Sequence, residues 1–370
     1  MPTFDSSSIQ AAAIHHVGNK QTDEGFILSS TLLPLNEQMQ ELLAQYALTP
    51  FKGDEFYNLF HDDGPEHNEL HACATRIFAD HSCLLSESQT IARLLYDAGN
   101  HPAIKSGDLL VVLFHDCIVG DESLDAVGLF KSEGKVPFFE VQRSEEEWSS
   151  QLGDHSATAS FRLQVNHGID VNHLDKGAII FNTEADAGFL VAIVDATNRA
   201  RDAHYWTDVF LQARPRQDNY YHTHEVMKAC KTYVTEQLTE ELGLSRADQA
   251  TLLNRSVQFF KQNESFDMND FARDVIGNTI GEMTGEPVAT ADVVEDFSQY
   301  RRQYQAENDV QLPDSFEIDD SAVRRQARSF KSVIKLDKNF HIYIHGNRKL
   351  IEQGEDDRGK YYKMYYQEEQ

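Results

Sequence analysis

Long apolar runs, paired cysteines and positive charge are what this sequence lacks. No apolar run approaches the ~20 residues that a helix needs to cross a bilayer, which argues against a membrane protein. The opening residues, MPTFDSSSIQAAAIHH, carry neither the basic nor the apolar segment of a secretory signal. Cys73, Cys83, Cys117 and Cys230 are scattered, with no C-x-x-C pair, as suits a reducing compartment. These absences lead to the expectation of a cytoplasmic protein. Against 60 Asp and Glu stand 33 Lys and Arg, a formal net charge of −27. Such a chain repels phosphate at long range, so contact with nucleic acid would need a local basic patch. Signature loops are missing too. There is no G-x-G-x-x-G, Walker-type loop, G-x-S-x-G or H-E-x-x-H.

What is present falls into two parts. From Gly107 to Val194, short segments rich in Val, Ile, Leu and Phe are separated by turn residues. They are Asp108–Val119, Leu124–Lys131, Val136–Gln142, Thr158–Val165, Gly177–Phe181 and Gly188–Val194, and they read as an antiparallel sheet. Gly120-Asp-Glu-Ser is a hairpin turn, and the acidic stretch Ser144–Ser150 an exposed loop. Before this sheet, residues 9–17 and 25–33 look like short strands, and Asn36 caps a helix ended by Pro50. After about Asp195 the pattern turns helical: Asn198–Gln212, His222–Leu242 up to Gly243, a helix capped by Ser245 and Asp248, then Phe266–Ile276 and Ala291–Gln305. Phe340–His345 and Tyr361–Tyr366 close the chain as strands. The fold class is α+β: a sheet-centred α+β part, residues 1–213, followed by a mainly helical part, 214–370, ending in a small β meander.

Candidate chemistry is sparse. His61, Asp62, Asp63, His67, His71, Cys73, His81 and Cys83 form the one metal-like cluster. On a helix, His67 and His71 at i, i+4 would share a face as a chelating pair requires, whereas Cys73 would not join them. The competing reading is a polar helix start followed by one long amphipathic helix carrying Leu70, Ile77, Phe78, Leu84, Leu85, Ile91, Leu94 and Leu95, with no metal and no cofactor. His115 and Asp116 are adjacent on a strand, point to opposite faces and cannot grip one ion. Phe51, Phe56, Tyr57, Leu59 and Phe60 read as core packing.

The densest cationic stretch is Ser321–Lys338, where Arg324, Arg325, Arg328, Lys331, Lys335 and Lys338 face the single acid Asp337. Arg324, Arg328, Lys331 and Lys335 recur at helical spacing and would line one face of a helix that reached so far. Strand-like alternation from Phe330 suggests a bend instead. The stretch reads either as a phosphate-facing patch or as compensation for nearby acids such as Asp314–Asp320. A weaker group, Arg199, Arg201, Arg214 and Arg216, is diluted by Asp202 and Asp208 and reads as ordinary surface.

Four blocks carry a resemblance. They are Leu124-Asp-Ala-Val-Gly-Leu-Phe-Lys-Ser-Glu133, Asn172-His-Leu-Asp-Lys-Gly-Ala-Ile-Ile-Phe-Asn-Thr183, Ala247–Val257 and Phe330–His345. With them the chain resembles bacterial nucleoid-associated proteins of the NdpA/YejK type, in their longer Bacteroidetes-like form. The resemblance implies a cytoplasmic, nucleoid-located, noncatalytic protein that binds DNA or DNA-bound partners. It supplies no catalytic, metal or cofactor residues. The expected activity is DNA binding without strong sequence specificity, through Arg324, Arg325, Arg328, Lys331 and Lys335. The rival expectations are an acidic module that docks on DNA-handling proteins, and a metal enzyme built on His67 and His71. Self-association stays open.

Overall fold

A computed structural model describes residues 2–101, 104–143, 147–148, 157–197, 205–284, 290–330, 333–336, 340–343, 351–366 and 368. They form two compact units, Met1–Arg216 and Gln217–Gln370.

The first unit is built on an eight-stranded antiparallel sheet. Its elements in chain order are β1 Ser8–Val17, β2 Phe26–Ile27, α1 Glu37–Leu48, β3 Phe56–Leu59, α2 Glu69–Ala79, α3 Leu84–Ala98, β4 Gly107–Val119, β5 Glu122–Ser132, β6 Val136–Arg143, β7 Glu147–Trp148, β8 Ala157–Thr158, β9 Phe161–Gly168, β10 Lys176–Phe181, β11 Leu190–Asp195 and β12 Ala213–Pro215. The sheet order is β12-β3-β11-β10-β5-β4-β1-β2. Its central strands hold long apolar runs, 109–114 in β4, 126–130 in β5 and 177–181 in β10, because both faces are covered. Leu109, Val111, Leu113, Val127 and Ile180 meet Leu70 and Ile77 of α2 and Ile91 and Leu95 of α3. Leu110, Val112, Phe114, Phe130 and Phe181 meet Tyr46 of α1 and the following Phe51. Asn36 caps α1 as expected, its side chain accepting from Met39 N. Gly120 and Asp121 make the two-residue β4–β5 turn, with Gly120 at φ 61°.

Several expectations give way to tertiary constraints. Val136–Gln142 and Thr158–Val165 do not enter the central sheet. β5 already has β4 on one edge and β10 on the other, so β6 and β9, lying between β5 and β10 in sequence, pair with each other as a separate ribbon. β7 and β8 form a further small pair, and the rest of the acidic loop Ser144–Ser150 lies outside the described residues. The strand expected over 25–33 shrinks to β2, because Ser29 gives its N–H to His15 Nδ1 and its carbonyl to Gln89 rather than to a ladder. The long helix from Leu70 to Leu95 is two helices. Asp80 is extended (φ −149°) and its carboxylate accepts from Ser82 N and Oγ, a local turn that competes with continued helix. Of the helix expected over 198–212, Tyr205–Phe210 is helical, and residues 198–204 lie outside the described residues.

The second unit holds α4 Asn219–Thr232, α5 Leu238–Leu242, α6 Arg246–Gln262, β13 Ser265–Asp267, α7 Met268–Phe271, α8 Asn278–Thr284, α9 Thr290–Asn308, β14 Ser315–Glu317, α10 Asp320–Ala327, β15 Val333–Leu336, β16 Phe340–Tyr343, β17 Ile351–Asp356 and β18 Gly359–Met364. Helical turns continue α4 into α5, which ends at Gly243 in the left-handed conformation. Ser245 and Asp248 form a reciprocal capping box on α6. Within the expected helix 266–276, Phe266 instead lies on β13, paired with β14. Stacked aromatics, Phe260, Phe266, Phe271, Phe297 and Phe316, fill this unit's core. The fold is thus α+β: sheet-rich first, mainly helical second, ending in the ribbons β15–β16 and β17–β18.

Candidate nucleic-acid interface

The cationic stretch begins on α10. Asp319 caps this helix, its carboxylate accepting from Ser321 N and Ala322 N at 2.9 Å each. Ala322 and Val323 are buried, which turns Arg324 and Arg325 outward. Arg325 donates to Tyr220 Oη on α4 at 2.8 Å, so its guanidinium is held locally. Arg324 and Arg328 stand exposed, one helical turn apart, and neither is held by an ion pair among the described residues. Cations in this position also suit the negative C-terminal end of the helix dipole.

The helix does not reach Lys335. It ends at Ala327; Ser329 N and Phe330 N bond back to Gln326 O and Ala327 O, and Phe330 is buried in the core. The single helical stripe is therefore replaced by a bend. Lys335 lies on β15, opposite His341 in register, while Lys331 and Lys338 lie outside the described residues. Of the upstream acids, Asp314 pairs with Arg301, Glu317 accepts from Asn219 and Asp319 is spent on the cap. Asp320, exposed in the first turn of α10 four residues before Arg324, makes no ion pair with it among the described residues.

The second basic group is dispersed. Arg216 pairs with Glu184 at 2.5 Å, and Arg214 lies 3.4 Å over the Phe60 ring, 4.0 Å from Asp62. Arg214 lines an open cleft of about 550 Å³ with His61, Asp208 and Gln212. Arg199 and Arg201 lie outside the described residues.

His67 and His71 are not a chelating pair. Pro65–His67 is a single tight turn, Asn68 caps α2 behind it, and the helical spacing is broken between the two imidazoles. His71 is buried against Phe189, with Nε2 on Ala185 O at 2.8 Å. Cys73 is buried, and burial above all pushes its thiol up to about 12, the reverse of what a thiolate ligand needs. Among the described residues no group of three or more His, Cys, Asp and Glu is placed to hold a metal ion.

A β-bulge in β4 separates His115 from Asp116, which takes a left-handed φ of 57°. His115 Nδ1 donates to Asp125 Oδ1 at 2.5 Å, and His81 Nε2 lies 3.4 Å from the other oxygen. Asp116 instead accepts from Ser123 Oγ. Two imidazoles on one carboxylate is a juxtaposition that sequence spacing did not display.

The residues most informative about this fold are two lysines that spacing also left unmarked. Lys131 and Lys176 are direct cross-strand partners on β5 and β10, each 1% exposed. Their ammonium groups each lie 5.3 Å from the Tyr205 ring centre. Lys131 donates to Lys105 O, Glu133 and Tyr205 Oη; Lys176 donates to Asp195 and Thr197. Burial lowers the Lys131 ammonium from its ordinary range, and the Glu133 carboxylate opposes that shift. A lysine inside an otherwise apolar strand was the available signal. These lysines lie in the first two resemblance blocks, which thereby become neighbours in space. The other two also meet: Ala247 and Ala250 of α6 pack under Leu336 of β15 and Ile342 of β16.

The blocks thus define an α+β protein through contacts internal to its two units. The chain belongs to the family described as nucleoid-associated protein YejK, whose model matches residues 13–359. It is accordingly a nucleoid-associated protein by family. No curated protein matches the chain. Among the described residues no helix is long and apolar enough to cross a membrane.

Proposed function

We propose that this chain is a noncatalytic, cytoplasmic protein of the nucleoid that contacts DNA phosphates without reading sequence. The observation that carries this reading is the pair Arg324, on the last turn of α10, and Arg328, its C-cap, both exposed and free of carboxylate partners among the described residues. Arg325 would contribute from beside them, and Lys331 and Lys335 would extend the patch. Family membership supports the compartment and the general role. No cofactor or metal enters this reading.

The test is fluorescence anisotropy of a labelled duplex at rising salt. Binding should weaken linearly on a log–log plot, with a slope near −0.9 per phosphate neutralised. Reversing charge in R324E/R328E should weaken binding and flatten the slope by about 2. Unchanged affinity and slope in that variant would remove the patch from the interface.

The net charge of −27 favours a second reading, an acidic module that docks on DNA-handling proteins. Partners captured with the chain should then survive nuclease treatment. Partners that vanish with the nucleic acid would sink it.

A further inference from the structure

The β6–β9 ribbon leaves the first unit between two strands that are themselves neighbours in the sheet. Its two strands of eight residues each span about 27 Å. Residues opposite one another share a face. One face is mixed: Val136 and Phe138 lie on it with Glu140, Gln142, Arg162, Gln164 and Asn166, Gln142 donating to Gln164 and Asn166 to Glu140. The other carries Phe139 opposite Val165 and Val141 opposite Leu163, flanked by Phe161 opposite Arg143 at one end and Pro137 opposite His167 at the other. Its five Phe, Val and Leu side chains are 56% to 69% exposed and belong to none of the buried clusters. An isolated two-stranded hairpin is marginal in water, and an uncovered apolar face adds to that cost.

We infer that this apolar face is covered by the same face of a second copy of the chain, ribbon stacked on ribbon about a two-fold axis. The area reaches the range of a stable interface: the five side chains present roughly 600 Å² of accessible surface, so their complete burial in two copies would remove about 1,200 Å², the low end of that range. Charge selects the same occupant. Each copy carries −27, so two copies repel wherever acidic surfaces meet, yet this face holds no carboxylate in a chain that has 60, and its one Arg, Arg143, lies at the end of the row rather than within it. A two-fold contact is self-complementary, which a flat row of Phe, Val and Leu satisfies against itself. The inference does not depend on DNA binding.

Sedimentation velocity on the full-length chain across a dilution series tests it. A reversible dimer is expected. F139D/L163D should weaken dimerisation by about tenfold or more while circular dichroism stays unchanged, because those side chains pack on no core in the single copy. Q142D/Q164D, which adds equal charge to the opposite face, should leave the dimer intact. If F139D/L163D does not fold, a Val165→Cys chain treated with a short bis-maleimide should still cross-link as a dimer above the native chain's background. A monomer at every concentration would overturn the inference, whether the ribbon then inserts into a bilayer or meets another protein. So would an undiminished dimer in F139D/L163D, or no added cross-linking through residue 165.

Discussion

His15 shows how much a single side chain can be assigned from its partners. Its Nδ1 accepts from Ser29 N at 3.0 Å, and its Nε2 lies 2.9 Å from Ser88 Oγ, so the neutral ring must carry its proton on Nε2. Ser88 in turn donates to Leu85 O. Protonation of Nδ1 would cost the bond to Ser29. Burial, with a smaller contribution from the Arg93 charge, lowers the imidazole below its ordinary 6.5. Below 6.5 the unfolded chain therefore binds more protons at this site than the folded one does. Stability is fully present above 6.5 and falls as pH drops toward the lowered folded value. Urea unfolding at pH 7.5 and 5.5 should show this acid-side loss, and His15→Gln should shrink the difference between the two pH values. An identical difference in the variant would assign the effect to another group, such as His222, which burial lowers in the same way.

Between elements, Gly188 decides how β3 meets the rest of the sheet. It adopts φ 102°, and a Cβ there would stand 2.0 Å from the carbonyl oxygen of Leu59. Leu59 N donates to Gly188 O at 2.8 Å, so the two backbones are already in close contact. Gly188→Ala should destabilise the first unit by about 2 to 3 kcal/mol, combining left-handed strain with a displaced strand. Denaturant titration measures this; a change within about 0.5 kcal/mol, ordinary for a surface site, would show that β3 can move without loss.

Much of this level was legible. The Asn36 cap, the Ser245–Asp248 box, the Gly120 turn and the apolar runs of β4, β5, β10 and β11 all rest on neighbours in sequence. The ribbon was not legible, because Val136–Arg143 alternates and is apolar enough to pass for a sheet strand. What excludes it is that both edges of β5 are taken. The break at Asp80 escaped for another reason: the apolar spacing of α2 and α3 runs on across it, while a side-chain turn stops the helix.

At the scale of the whole molecule, each unit has its own buried clusters, sheet-centred in Met1–Arg216 and aromatic in Gln217–Gln370. Each is of ordinary domain size. Expressed separately, residues 1–216 and 217–370 should each melt cooperatively by circular dichroism. A fragment without a cooperative transition would show that its core needs the other unit. The candidate interface belongs to the second unit, so DNA binding, where present, should follow residues 217–370.

The sequence by itself determined the α+β class, the change from sheet to helix, the Asn36 and Ser245–Asp248 caps and the net charge of −27. These depend on composition and on residues a few positions apart. Only the tertiary structure decided that Arg325 is held by Tyr220 while its neighbour Arg324 has no ion pair among the described residues. It also brought Lys131 to Lys176 and His81 to Asp125. Such pairings depend on strand register and on which edges and faces are already covered, and no local pattern encodes those.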